Sequence, residues 1–169
     1  MLYLLISTVE NIPPFPDDFE YAEAACHAAT RARDMPQQAS VVIVEDNPGD
    51  VFIMEEALRE HSVNCSITVL SDGEQANDFF NRIDGDLTAE CPNLVLLDLN
   101  LPKRSGHWVL TRIRNSYRCA SVPVVVVSSS EAPSDLIANR DLGATAYFRK
   151  SSSLEEFMHL GAIVNSLLC

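Results

Sequence analysis

The sequence predicts an α/β fold, a doubly wound five-stranded parallel sheet with helices on both faces. Two observations carry that expectation. From residue 40 onward, short continuous apolar runs alternate with stretches whose apolar residues recur at helical spacing, the pattern of strands covered on both faces by amphipathic helices. The connections are also short, as right-handed crossovers between parallel strands require.

The expected strands are 40–44, 66–70, 94–98, 122–127 and 144–148, and the expected helices lie near 48–61, 73–83, 105–115, 133–142 and 152–167. Asn47 suits a helix cap, Pro48 the first helical position, and Asp50 falls near the third, where a carboxylate meets unsatisfied amides. In the second helix Ala76, Phe79, Phe80 and Ile83 fall on one face. The last helix opens with Ser152 and Ser153, each three residues before a glutamate, a doubled capping-box pattern. Leu154, Phe157, Met158, Gly161 and Val164 form its expected buried stripe.

Residues 1–39 break from this pattern and are expected to form an N-terminal extension, partly disordered or loosely helical, before a domain at 40–169. They comprise a short apolar start, the proline-rich IPPFPDD and the alanine-rich YAEAACHAATRAR. Alanine favours helix, but this piece has few large apolar residues with which to pack. Met35 is an alternative start, since MPQQASVVIVED reads as a short lead into the first strand.

Composition narrows the function. With 169 residues, 47% of them hydrophobic, the chain has material for one core rather than two large ones. A formal charge of -12 argues against nucleic acid as a partner, because a phosphate backbone repels it. No apolar run approaches the roughly 20 residues that cross a bilayer, and residues 1–9 lack a charged leader and cleavage site, so a cytoplasmic protein is expected, away from membranes. Five cysteines without a Cys-x-x-Cys pair read as reduced, mostly packed thiols. The four histidines show no zinc-type spacing and are expected to be surface or core filler.

In an open parallel sheet, functional residues gather at the carboxyl ends of the strands. Glu45 and Asp46 end the first strand, Asp98 the third, Ser128 follows the fourth and Lys150 the fifth. Three carboxylates brought together repel one another, so a fold that keeps them close implies a bound cation. Oxygen ligands without cysteine or histidine favour a hard ion, magnesium above all. Lys150 supplies a complementary positive charge.

The segments VVIVEDNPGD, LVLLDLNLPKRSG, VPVVVVSSS and GATAYFRK occur in that order at the strand ends. They resemble the successive landmarks of response regulator receiver domains, over about residues 40–167. DNPGDV and LLDLNLP are most similar to single-domain regulators of the cyanobacterial phytochrome type. The resemblance implies a flavodoxin-like receiver with strand order 2-1-3-4-5. Asp98 would then be the phosphoacceptor, forming an aspartyl phosphate, and Asp46 the direct Mg2+ ligand. Glu45 would act on the ion largely through water, and Asn100 would offer its backbone carbonyl. Ser128 and Lys150 would hold phosphoryl oxygens, and Tyr147 would follow Ser128 as a switch.

The partners implied are a sensor histidine kinase, of the phytochrome type, and a downstream protein or phosphotransfer partner. Output, or a homodimer, would use the face made by 133–142, 144–148 and 152–167. The domain would be a phosphoacceptor switch, catalysing only its own phosphorylation and dephosphorylation. Pro102 and Gly106 stand where receivers turn sharply after the acceptor, for backbone reasons. Ser151 is a departure: receivers usually carry a proline after the lysine, joined by a cis bond that costs another residue about 3 kcal/mol, which puts the placement of Lys150 in question.

Rival readings weaken on particular residues. A haloacid-dehalogenase-like phosphatase needs a second aspartate two positions after the nucleophile, where this chain has Asn100. A flavodoxin-like cofactor domain would not carry Glu45 and Asp46 in a phosphate-binding loop. The remaining alternative is a receiver-like binding module that signals without phosphate, which Ser151 keeps open.

Overall fold

The computed structural model describes residues 38–129 and 139–168. In chain order these form β1 (Ala39–Val44), α1 (Pro48–Glu60), β2 (Cys65–Leu70), α2 (Gly73–Gly85), β3 (Leu94–Leu97), α3 (Gly106–Arg114), β4 (Val124–Ser128), β5 (Ala146–Arg149) and α4 (Leu154–Leu168). The five strands make one parallel sheet in the order β2-β1-β3-β4-β5. The reading of residues 1–37 lies outside the described residues. So does most of the expected helix 133–142, of which 139–141 are helical.

The interior strands explain the continuous apolar runs. Alternate residues of a strand point to opposite faces, and here both faces are covered. Val42, Val44, Val95, Leu97, Val124 and Val126 pack with Ala76, Phe80 and Ile83 of α2 and Val109, Leu110 and Ile113 of α3. Their neighbours Val41, Ile43, Leu94, Leu96, Val125 and Val127 pack with Met54, Ala57 and Leu58 of α1 and Phe157, Leu160 and Val164 of α4. Burying each of these side chains larger than alanine stabilises the fold by about 1.5–3 kcal/mol. Edge strand β2 instead alternates between half-buried and exposed positions from Cys65 to Thr68, with Val69 exposed and Leu70 buried.

Helices α1 and α4 approach closely at Gly161, where a Cβ would lie 2.0 Å from the Ala57 carbonyl oxygen. The buried stripe of α4 is Phe157, Leu160, Gly161 and Val164. Leu154, expected within it, is 59% exposed because it opens the helix, with Phe52 and Met158 lining a shallow surface hollow beside it. The expected double capping box is a single cap: Glu156 N–H meets Ser153 Oγ at 3.5 Å and Phe157 N–H bonds the Ser153 carbonyl, whereas the Glu156 carboxylate accepts from Ser151 Oγ. Among the described residues no helix is long and apolar enough to cross a membrane.

The expectation of reduced thiols needs correction. Cys91, before β3, and Cys119, between α3 and β4, form a disulfide with their Cα atoms 5.6 Å apart. A separation of 28 residues hides this pair in the sequence; only the adjacency of β3 and β4 brings the two together. Cys65 is a free, partly buried thiol. A crosslink over a loop of this length stabilises chiefly by restricting the unfolded chain, by about 2–4 kcal/mol. Urea denaturation with and without a thiol reductant should show a loss of that size on reduction, reproduced by Cys91→Ser; an unchanged midpoint would contradict the crosslink.

Candidate functional site

The direction of strand order reverses between β1 and β3, and the open sheet leaves a crevice at their carboxyl ends. The ladder runs one residue past each strand. Glu45 N–H donates to the Leu70 carbonyl at 3.0 Å, Asp98 N–H to Val44 at 2.9 Å, and Lys150 N–H to Ser128 at 2.9 Å. Backbone bonds thus carry three charged side chains to one rim.

Glu45 is 2% exposed and Asp98 4%, while Asp46 is open to solvent. One oxygen from each lies within 4.8 Å of the other two. Two unit charges about 4 Å apart interact by roughly 4 kcal/mol in partly buried surroundings. Bringing three carboxylates together is therefore unfavourable unless positive charge enters.

Part of that charge is Lys150. Its Nζ donates to Glu45 Oε2 at 2.7 Å and to Asp50 Oδ2 at 2.8 Å. It also lies 3.5 Å from Asp98 Oδ1, an ion-pair distance without a hydrogen bond, and that buried oxygen has no hydrogen-bond partner. Burial pushes the Glu45 carboxyl above the ordinary glutamate value of 4.5, outweighing bonds from Lys150 and Asn47 N–H that favour its charge. Burial also opposes the Lys150 ammonium, but its bonds to Asp50 and Glu45 and the nearby Asp98 charge together raise it above 10.5.

The remaining positions are held by backbone devices. Asn47 caps α1, accepting from Gly49 N–H at 2.9 Å, while its own N–H donates to Glu45 Oε1 at 3.0 Å. Gly106 packs so tightly that a Cβ would lie 2.2 Å from the Asp98 carbonyl oxygen, which explains glycine there. Between them Lys103 adopts a left-handed φ of 65°, and its Nζ reaches Asp72 Oδ2 at 2.8 Å. Asp72 also caps α2 through Glu74 and Gln75 N–H. This pair fastens the loop that carries Asn100, an exposed residue two positions after Asp98.

Glu45, Asp46, Asp98 and Lys150 are therefore brought together as the sequence suggested. Ser128 closes β4 inside the strand rather than after it, 1% exposed. Tyr147 is half-buried in β5, paired with Val126 and packed on the α2–α3 side of the sheet. Asp50 was expected to meet helix amides; its carboxylate instead goes to Lys150, a pairing of residues 100 positions apart that only the fold brings together. Ser151 replaces the usual proline, and no cis peptide bond occurs among the described residues, yet Lys150 reaches the cluster. Ser151 Oγ accepts from Ser153 N–H at 3.1 Å.

The donor set fits a hard divalent cation: carboxylate oxygens only, converging, one of them buried and unbonded. Such a rim on such a sheet defines a receiver-type domain. Residues 41–160 match the family described as the response regulator receiver domain, and the chain belongs to that family. Response regulator Rcp1 of Synechocystis sp. is 32% identical over 120 residues, spanning 71% of this chain and 82% of that protein. The phosphorylated cyanobacterial phytochrome response regulator RcpA has a solved structure similar at TM-score 0.69 and 32% identity, covering 78% of this chain and 94% of the other. The Mn2+-bound form of response regulator Rcp1 is similar at TM-score 0.68 and 32% identity, over 77% and 94% of the two chains.

Because burial disfavours the Glu45 charge, its contribution to the metal-free fold is present in full below pH 4.5 and is lost as pH rises through the higher folded value. Chemical denaturation of metal-free protein across that window should show stability falling with pH, and Glu45→Gln should flatten the slope. A slope unchanged by Glu45→Gln would contradict this account of the rim.

Proposed function

We propose that this chain is the receiver of a two-component phosphorelay, accepting a phosphoryl group on Asp98 from a sensor histidine kinase of the phytochrome type. The observation that carries this reading is Asp98 itself: a buried carboxylate with one oxygen unbonded, set between two further acids and an ammonium. A group so placed is a poised nucleophile. The relatives add support, since one similar solved structure is of a phosphorylated regulator and another of a Mn2+-bound one.

In this reading Mg2+ would be held by Asp46, Asp98 and the Asn100 backbone carbonyl, with Glu45 acting largely through water. When bound, the ion supplies positive charge that offsets the phosphoryl oxygens. The Asp98 carboxylate attacks phosphorus in line while the bond to the histidine nitrogen breaks, and that nitrogen keeps the electron pair. Lys150 donates to a phosphoryl oxygen, as does the Ser128 hydroxyl. Ser128 moves inward, and Tyr147 turns into the space vacated beside β4.

Phosphorylation need only shift a pre-existing two-state balance by a few kcal/mol to invert the populations. Output then leaves by contact with a downstream protein or phosphotransfer partner, through the face to which β5 and α4 contribute. That face also suits a homodimer. The charge of -12 disfavours nucleic acid, and the working location is the cytoplasm. The only chemistry proposed is the domain's own phosphorylation and dephosphorylation.

Incubation with Mg2+ and phosphoramidate, followed by intact mass measurement, tests the reading. One phosphoryl group should add to the wild-type protein and none to Asp98→Asn. Equal uptake by both, or none by the wild type, would overturn it.

A further inference from the structure

An ammonium has three N–H donors. Two of those on Lys150 are taken, by Glu45 Oε2 and Asp50 Oδ2, at 2.7 and 2.8 Å. The acceptor oxygen Asp98 Oδ1 stands 3.5 Å away with no hydrogen bond at all. Left to electrostatics, the lysine would close on that buried carboxylate oxygen, because a buried acceptor without a hydrogen bond is costly even at ion-pair distance. Two anchors keep it off. Glu45 belongs to the acid cluster and is fixed by the Asn47 N–H. Asp50 lies outside the cluster, in the first turn of a helix whose start is set by Asn47 and Pro48.

We infer that Asp50 is a positioning residue, holding the Lys150 ammonium away from Asp98 so that Asp98 Oδ1 stays open for a divalent cation and for attack on phosphorus. This rests on the function proposed above and deepens it. The third donor of Lys150 is then kept for a phosphoryl oxygen. Without Asp50 the ammonium shifts onto Asp98, competes with the cation and shields the nucleophile. A bystander Asp50 would act differently, lending the rim one more negative charge whether or not Lys150 is present.

A double-mutant cycle separates the two. Mg2+ affinity is measured by calorimetry for the wild type, Asp50→Asn, Lys150→Met and the double variant, with urea denaturation to confirm that each is folded. Asp50→Asn should weaken Mg2+ binding about tenfold when Lys150 is present and only about twofold, the effect of a partly screened charge, in Lys150→Met. Asp50→Glu should restore most of the affinity. Equal factors in both backgrounds would overturn the inference.

A second measurement needs no variant. In the metal-free wild type, scalar coupling across hydrogen bonds should link Lys150 Nζ to the Asp50 carboxyl carbon and not to that of Asp98; the reverse pattern would overturn the inference. A wild type that binds no Mg2+ would sink the proposed function itself. If the wild type binds Mg2+ with no coupling in the cycle, the role of Asp50 alone falls.

Discussion

The structure depends on one crowded arrangement: the carboxylates of Glu45, Asp46 and Asp98 at the rim of the sheet, with the Lys150 ammonium among them. Such crowding is unfavourable unless compensated, and it persists because the rest of the domain is rigid around it. Three interior strands buried on both faces supply that rigidity. Parallel ladder bonds extended by one residue then place Glu45, Asp98 and Lys150. Stability built into the core is what holds a reactive rim in place, as strain and crowding at functional sites generally require.

Lysine bonding offsets part of the crowding at this rim. Glu45 pairs with Lys150 yet has its charge disfavoured by burial, so the pair is a compromise rather than a strong contributor to stability. Asp98 is left the least satisfied member of the set. In the proposed function a cation meeting these oxygens would relieve repulsion, and the same oxygen of Asp98 would form the new covalent bond.

Much of this was legible in the sequence, for reasons particular residues make clear. The runs VVIV, LVLL and VVVV could be read as doubly buried strands because both faces of the sheet are covered. Glu45, Asp46, Asp98 and Lys150 could be placed because strand ends in a parallel sheet share one rim. What was missed depended on long-range proximity or on helix ends. Asp50 reads locally as a helix-start acid, and its bond to Lys150 spans the fold. The Cys91–Cys119 disulfide likewise needs the adjacency of β3 and β4, and Leu154 obeys the helical period but is exposed as the first residue of α4. The Asp72–Lys103 clasp on the loop after Asp98 has no local signature at all.

Whether these crowded oxygens form one cation-dependent acceptor is decided by a crystal structure grown with Mg2+ and beryllium fluoride, a stand-in for the phosphoryl group. The ion should be coordinated by Asp46, Asp98 and the Asn100 carbonyl, with the fluoride on Asp98 and Lys150 donating to fluorine. A rim empty of both, or an ion bound without Asp98, would contradict such an acceptor.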